Sequence, residues 1–222
     1  MEQRTHHIPR VTSTQEEARK RLAEGRATQG DMILADEQTE GRGRFGRTWI
    51  SPKGGLYATI ILSLDPLLSL KAGLAITRVL RSAGIEAGIK WPNDVYVRDL
   101  KIAGVLIETT GGVALAGIGL NLVASPLETS TCVHQYVEGI SRDAWAHRIA
   151  HELMDLSRGH LDLSEYRGAC LTLGCRVRMD GIGEVSTIEG IALDIDDAGH
   201  LIIETELGRR VITSGECWHL RN

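Results

Sequence analysis

The spacing of apolar residues along the chain changes several times, and each change marks an element. Residues 13–25, STQEEARKRLAEG, open on Ser13 with Glu16 three positions later, the pairing of a capping box, and close on Gly25. They predict a helix of about three turns. DMILADEQ, residues 31–38, reads as a short strand. LYATIILSL, residues 56–64, has no polar face, which predicts a central strand covered on both sides. Residues 66–84, PLLSLKAGLAITRVLRSAG, predict a helix with Pro66 at its first position. Leu68, Ala72, Ala75, Val79 and Ala83 form its apolar stripe, and Gly84 stops it.

Four strand-like runs follow: GIKW, DVYV, IAGVLIETT and VALAGIGLNLV. RDLK makes a tight hairpin between the second and third, and Gly111-Gly112 a turn between the third and fourth. Strands joined this closely pair antiparallel, because a parallel crossover needs a longer connection. SRDAWAHRIAHELMDLSRG predicts an amphipathic helix capped by Ser141, with Trp145, Ile149, Leu153 and Leu156 on one face. A further helical stretch runs through Tyr166 towards Gly174. Beyond it the pattern becomes short strands broken by glycine and Asp-Asp-Ala-Gly turns, which suits a small β-barrel of SH3-like size. We place a boundary near residue 172, giving a larger unit over 1–172 and a smaller one over 173–222.

Composition narrows the class. The chain has 222 residues, 42% of them hydrophobic, with 25 glycines and a single phenylalanine, Phe45. That is enough apolar material for a core, in a strand-and-loop protein rather than a helical bundle. The formal net charge of −4 argues against a whole-surface grip on nucleic acid. The four cysteines form no C-x-x-C pair, and the Cys132/His134 spacing has no second metal-spaced partner, so they read as reduced, packed thiols rather than zinc ligands. The N-terminus carries no apolar targeting region, and no run reaches membrane-spanning length. A cytoplasmic protein is the expectation.

The chemistry concentrates in GRGRFGRTW, residues 41–49. Gly41, Gly43 and Gly46 match G-x-G-x-x-G, but a dinucleotide-binding turn must open into a helix. Here RTWISPKGG follows, and Pro52 with Gly54-Gly55 excludes one. Walker A and kinase-loop readings fail as well, for lack of the accompanying motifs. What remains is a loop whose glycines can turn N–H groups inward while Arg42, Arg44 and Arg47 supply planar, bidentate donors. It is suited to a phosphoryl or acyl-phosphate group, with the substrate left open. In KWPNDVYV, Pro92 and Asn93 set a turn that leaves Asp94 at a strand start, where a carboxylate can cap the turn or hold Mg²⁺ through water. In KIAGVLIE, Lys101 opens an apolar strand, and Gly104 inside it marks a close approach of backbone or ligand.

STQ, GRGRFGRTW, KWPNDVYV, KIAGVLIE and GIGLNL, in this order and spacing, resemble the biotin protein ligase family from about residue 8 to the C-terminus. The resemblance implies an α+β fold: a mixed, largely antiparallel sheet flanked by helices, of the class II synthetase-like kind, with a C-terminal SH3-like barrel. It implies activation of biotin by ATP with Mg²⁺ to biotinyl-5′-AMP, then transfer to one lysine of a biotin carboxyl carrier protein domain. The chain looks like the enzyme-only form, without operator-DNA binding, and a homodimer through an edge strand is one arrangement the family allows.

Carried over by position, Ser13, Thr14 and Gln38 would hold the biotin head group. Gly41, Arg42 and Arg44 would close over the carboxylate and α-phosphate. Lys101 would stabilise the charge between them, with Arg42 and Arg44 sharing the catalytic role, and Gly104 would let biotin lie on the strand. Arg44, Trp49, Asn93, Asp94 and Asn121 would serve the nucleotide, and Asp94 the metal, through water or phosphates. Two positions depart from the pattern: Gln15 where Asn is usual, and Glu40 where a small residue is commoner. Two alternatives are weighed. A lipoate–protein ligase lacks support because no arginine-rich segment ends in three glycines. A non-enzymatic phosphate- or nucleic-acid-binding module conflicts with the acidic charge.

Overall fold

The computed structural model describes residues 4–182 and 185–220. These form four α-helices, α1 (Thr14–Ala23), α2 (Leu68–Ser82), α3 (Arg142–Arg158) and α4 (Leu163–Ala169), and two sheets. The first sheet contains β1 (Thr5–Val11), β2 (Met32–Gln38), β3 (Leu56–Ser63), β4 (Ala87–Lys90), β5 (Asp94–Val97), β6 (Leu100–Thr110) and β7 (Val113–Leu120). Their spatial order is β1-β2-β3-β7-β6-β5-β4. The second contains β8 (Arg176–Ile182), β9 (Val185–Ile195), β10 (Leu201–Thr205), β11 (Gly208–Ile212) and β12 (Glu216–His219), in the order β11-β10-β9-β8-β12. The fold is α+β. In the first sheet only β1 and β2 run parallel, and every other neighbouring pair is antiparallel. No helix among the described residues is long and apolar enough to cross a membrane.

β3 shows why a strand without a polar face belongs in the middle. It lies between β2 and β7 and is covered on both sides. Ala58, Ile60 and Leu62 face the large core beneath α2 and α3, while Ile61 joins Ala18, Ala27, Ile33 and Leu115 under α1. The apolar alternation on each face is therefore complete, and no hydrophilic row remains to mark an exposed side.

Three local details differ from the pattern reading. β1 has no apolar signature, since its residues THHIPRV are mostly part-exposed at the edge of the sheet. It is held by parallel backbone pairing with β2, which leaves no trace in hydrophobic spacing. Pro66 lies one residue before the α2 cap, Leu67, rather than at the first helical position. The helix it precedes is buried well beyond one stripe, to the point of enclosing Lys71, whose Nζ is held by Asp65 at 2.6 Å and by the Gly159 carbonyl at 2.8 Å. Ser13 caps α1 by accepting from the Gln15 N–H at 3.3 Å, but Glu16 turns outward to Arg19 and Arg42 instead of closing the capping box.

The second sheet packs its apolar face, Val177, Met179, Ala192, Leu201 and Ile203, into the same core cluster as the first. Polar contacts close the seam. The Trp91 indole N–H donates to the Gly199 carbonyl at 3.0 Å, and Arg167 reaches Asp194 at 2.6 Å. The Thr172 hydroxyl accepts from the Trp91 N–H at 3.0 Å and also hydrogen-bonds the His219 Nε2, at 3.0 Å. Burial, reinforced by the charge of Lys90 and opposed by Asp99, pulls His219 down to about 4.

The seam predicts a pH effect. An unfolded histidine titrates at about 6.5, so between that value and about 4 the unfolded chain binds the proton more readily than the folded one. The His219 contribution is complete above the unfolded value and is lost as pH falls towards the folded one. His219→Gln should show a shallower loss of stability across this interval than the parent, measured as urea midpoints at successive pH values. Parallel curves would contradict the assignment.

Candidate active site

The Gly-Arg segment is a hairpin folded onto itself. The Trp49 N–H donates to the Gly41 carbonyl and the Gly43 N–H to the Arg47 carbonyl, both at 2.8 Å, and the tip is a single 3-10 turn over Arg44–Gly46. Gly41 is required by crowding, since a Cβ there would sit 2.3 Å from the Trp49 carbonyl oxygen and 2.5 Å from the Ser51 hydroxyl. At the tip, Phe45 has φ 57° and Gly46 φ 73°. A left-handed phenylalanine is uncommon and marks a backbone imposed by its surroundings.

The three arginines fan out to three different elements. Arg42 pairs with Glu16 on α1, and Arg47 with Glu216 at the start of β12. Arg44 donates to the Asn93 Oδ1 at 3.0 Å in the β4–β5 turn, with its guanidinium 4.8 Å from the Phe45 ring centre. Burial lowers the Arg44 pKa, helped by Arg47 and opposed by Asp94. The loop therefore roofs a cavity of about 320 Å³, and it is strapped down on three sides.

Glycines clear the cavity floor. Gly104 on β6 and Gly119 on β7 are register partners, and the Trp49 indole lies on both. A Cβ at Gly119 would fall 2.3 Å from the ring, and one at Gly104 3.1 Å from it. The Lys101 Nζ stands 5.3 Å from the indole centre and 2.7 Å from the Asp94 Oδ2. Asn93 donates to the Asp94 Oδ1 at 3.1 Å and to the Val105 carbonyl at 2.9 Å. Both oxygens of Asp94 are thus engaged. Among the described residues no group of three or more His, Cys, Asp or Glu could hold a metal ion.

The opposite end is a relay of neutral polar groups. The Thr59 hydroxyl donates to the Thr14 hydroxyl at 2.8 Å. The Thr14 N–H and hydroxyl donate to the Gln38 Oε1 at 2.8 and 3.2 Å, and the Gln38 Nε2 donates to the Ser51 hydroxyl at 2.9 Å. Beside it the Gln15 Nε2 bridges the Leu106 and Leu115 carbonyls at 2.8 and 3.3 Å. Its buried Oε1 has no protein partner among the described residues. This end suits a neutral polar head group, the charged end suits joined anions, and the Trp49–glycine floor suits the apolar part between them.

Ser13, Thr14, Gln38, Arg42, Arg44, Trp49, Asn93, Asp94, Lys101 and Gly104 all border this one cavity. Gly41 lies at the base of its roof, where it shapes the hairpin. Asn121 is not brought to the wall. It is buried, and its Nδ2 donates to the Thr131 carbonyl at 3.0 Å, which fastens the segment after β7. Sequence reasoning gave no role to Lys90, Tyr96, Gly117, Gly119 and the stretch Gly215–Trp218, which also line the cavity. The alternating glycines of GIGLNL were a readable sign of the floor. Nothing local to residues 215–218 indicates that they reach a site built by residues 13–119.

Comparison with known proteins agrees with this geometry. Residues 7–123 match the model of the biotin/lipoate A/B protein ligase family, and residues 172–220 match that of the biotin protein ligase C-terminal domain. The chain is similar to the biotin–[acetyl-CoA-carboxylase] ligases of Mycobacterium tuberculosis, at 33% identity over 96% of this chain and 88% of the relative, and of Paracoccus denitrificans, at 34% over 94% and 98%. Among solved structures, the biotin protein ligase of Aquifex aeolicus in complex with biotin and ATP superposes with a TM-score of 0.83. Its identity is 30%, with 99% of each chain covered.

The floor generates a prediction that needs no substrate. Gly119→Ala places a methyl inside the Trp49 ring and should force the indole off the sheet, at a cost of about 1–3 kcal/mol in stability. Acrylamide quenching of tryptophan fluorescence should increase. Unchanged quenching in a folded variant would mean that the floor does not seat Trp49.

Proposed function

The chain belongs to the biotin/lipoate A/B protein ligase family and is an ATP-dependent biotin protein ligase, and we propose that the cavity beneath the Gly-Arg hairpin performs both of its reactions. One observation carries this reading. The Thr14–Gln38 relay, the Trp49–glycine floor and the Lys101–Arg44 charges line a single cavity, and their chemistry matches a ureido head, an apolar body and a carboxylate meeting a phosphate. The relatives and solved structures named above are biotin ligases, so the lipoate alternative has no support from them.

In the first reaction the biotin carboxylate attacks the α-phosphate of ATP and pyrophosphate leaves. Two anions must meet, so positive charge placed beforehand at the meeting point lowers the barrier. We assign that charge to Lys101 and Arg44, with Arg42 closing the roof, and the head-group contacts to Ser13, Thr14 and Gln38. Asn93 and Asp94 serve the nucleotide side, Trp49 stands between it and the apolar body of biotin and serves both, and Asn121 acts through the segment it fastens. Lys101 waits paired with Asp94, a contact that the incoming anions replace. Among the described residues no group of carboxylates, histidines or cysteines builds a protein-held magnesium site, so Mg²⁺ would arrive carried by the triphosphate, and the Asp94 oxygen that Lys101 releases would meet it through water or phosphates.

In the second reaction an acceptor lysine attacks the mixed anhydride and AMP leaves. We take the acceptor to be a biotin carboxyl carrier protein domain of a carboxylase, which the names of the relatives imply. The hairpin roof keeps water from the anhydride until then. We retain 1–172 as the unit for biotin and ATP and 173–222 as the smaller unit beside it. The sheet edges at β1 and β4 are where a second copy could add in a homodimer.

Biotin-dependent pyrophosphate–ATP exchange tests the reading without a carrier, with lipoate and octanoate as parallel acids. Exchange with biotin alone is expected. Exchange with lipoate alone would overturn the substrate and keep the chemistry. Lys101→Ala should lose about 3–4 kcal/mol of transition-state stabilisation in the same assay, as for a lost oxyanion donor. A near-parental rate would remove Lys101 from its role.

A further inference from the structure

The strap that holds the roof to α1 is shared. One oxygen of Glu16, Oε1, accepts from Arg42 on the hairpin and from Arg19 three residues along α1, the latter at 2.8 Å. Arg19 has a further carboxylate of its own, Glu108 on β6, also at 2.8 Å. Glu16 therefore keeps a counter-ion whether or not Arg42 is present. Arg42 has no carboxylate other than Glu16 within ion-pair distance among the described residues. Nor does Glu16 hold the helix end, since Ser13 caps α1 without it.

Position gives this pair its meaning. Ser13, Thr14 and Gln15 line the cavity, as does Arg42, but Glu16, the next residue of α1, does not. The backbone of Arg42 is fixed, bridged to Thr48 across the hairpin and next to the crowded Gly41. The two side chains that meet are 44% and 40% exposed. An ion pair so exposed is worth little in water and is readily exchanged for another carboxylate. In the empty protein, then, the guanidinium assigned to the substrate carboxylate is turned to a carboxylate of the protein's own, outside the cavity lining.

We propose that Glu16 is an internal competitor for the substrate carboxylate, and that Arg42 passes between the two. The proposal rests on the reading of this cavity as the biotin site. A carboxylate in the cavity draws Arg42 off Glu16, and Arg19 remains to satisfy the oxygen that Arg42 leaves. The contact continues in the mixed anhydride, whose phosphate keeps a negative charge. Transfer replaces the bond from the acyl carbon to the phosphate oxygen by one to the acceptor lysine nitrogen, and AMP departs with the electron pair. The acyl group is then a neutral amide. Nothing anionic is left to hold Arg42, and its pair with Glu16 re-forms. Glu16 thus makes the strap respond to charge, because a ligand shifts such an equilibrium only through its different affinity for the two states. Acid and anhydride release it, and the amide product does not.

The test measures Kd by calorimetry for biotin and for biotinamide, which keeps the head group and body and loses the charge. Glu16→Gln removes the competitor and keeps its shape. It should bind biotin about two- to fivefold more tightly than the parent, the range of an exposed ion pair, and biotinamide within about 1.5-fold of the parent. Glu17→Gln removes the neighbouring first-turn carboxylate, which pairs with Arg21 at 2.6 Å, and so controls for charge at the helix end. It should leave both ligands unaffected. In an Arg42→Met background, Glu16→Gln should no longer change the Kd for biotin. Unchanged biotin binding in Glu16→Gln, equal tightening for acid and amide, or the same tightening without Arg42 would overturn the proposal. Should the parent bind no biotin, the biotin reading fails, and trypsin still decides the strap. Cleavage after the hairpin arginines in the ligand-free protein should be about twofold or more faster in Glu16→Gln, since cleavage follows the population of the open form, and an equal rate would overturn the role of Glu16.

Discussion

Joining two anions requires positive charge at one place, and that charge must be held before the anions arrive. In this protein the requirement shapes the whole cavity. The cations on the hairpin, β4 and β6 repel one another and lose solvation, so each needs a local anchor. Glu16, Glu216 and Asp94 anchor three of them, Asn93 orients Arg44, and two aromatic rings hold Lys90. The anchors come from elements far apart in the chain. The site can therefore exist only when both sheets and α1 are in place.

The same anchors explain how the hairpin can be ordered and remain able to move. Its arginine straps are ion pairs at part-exposed positions, individually worth little in water. Its base is fixed by crowding at Gly41, which no side chain could relieve. A rigid base under a weakly strapped tip is the arrangement expected of a roof that opens for substrate and closes over product. The floor, by contrast, has no such freedom, because Gly104 and Gly119 sit in the paired β6–β7 ladder and Trp49 lies flat upon them.

Most of the site was legible in the chain because the motifs sit at strand ends and turns, where residue type reports backbone geometry. Arg44, Asp94 and Lys101 could be marked from their own neighbourhoods, Thr14 and Gln38 only through the family resemblance, and the structure gathers all five around one cavity. Asn121 was marked for the nucleotide yet holds backbone, since a buried amide serves either use equally well until its partners are known. β1 was missed because parallel edge pairing is made by the backbone and asks nothing of side-chain order.

The sequence alone determined the class of fold, the antiparallel β4–β7 meander and the anion-gripping character of the hairpin. Those properties follow from period, turn residues and charge within short windows, where physical chemistry acts on neighbours. The tertiary structure decided which arginine meets which carboxylate, that paired glycines seat Trp49, and that residues 215–218 close a cavity begun at residue 13. Such contacts are settled by packing two sheets on one core, and contacts between residues so distant leave no mark in the local pattern of either partner.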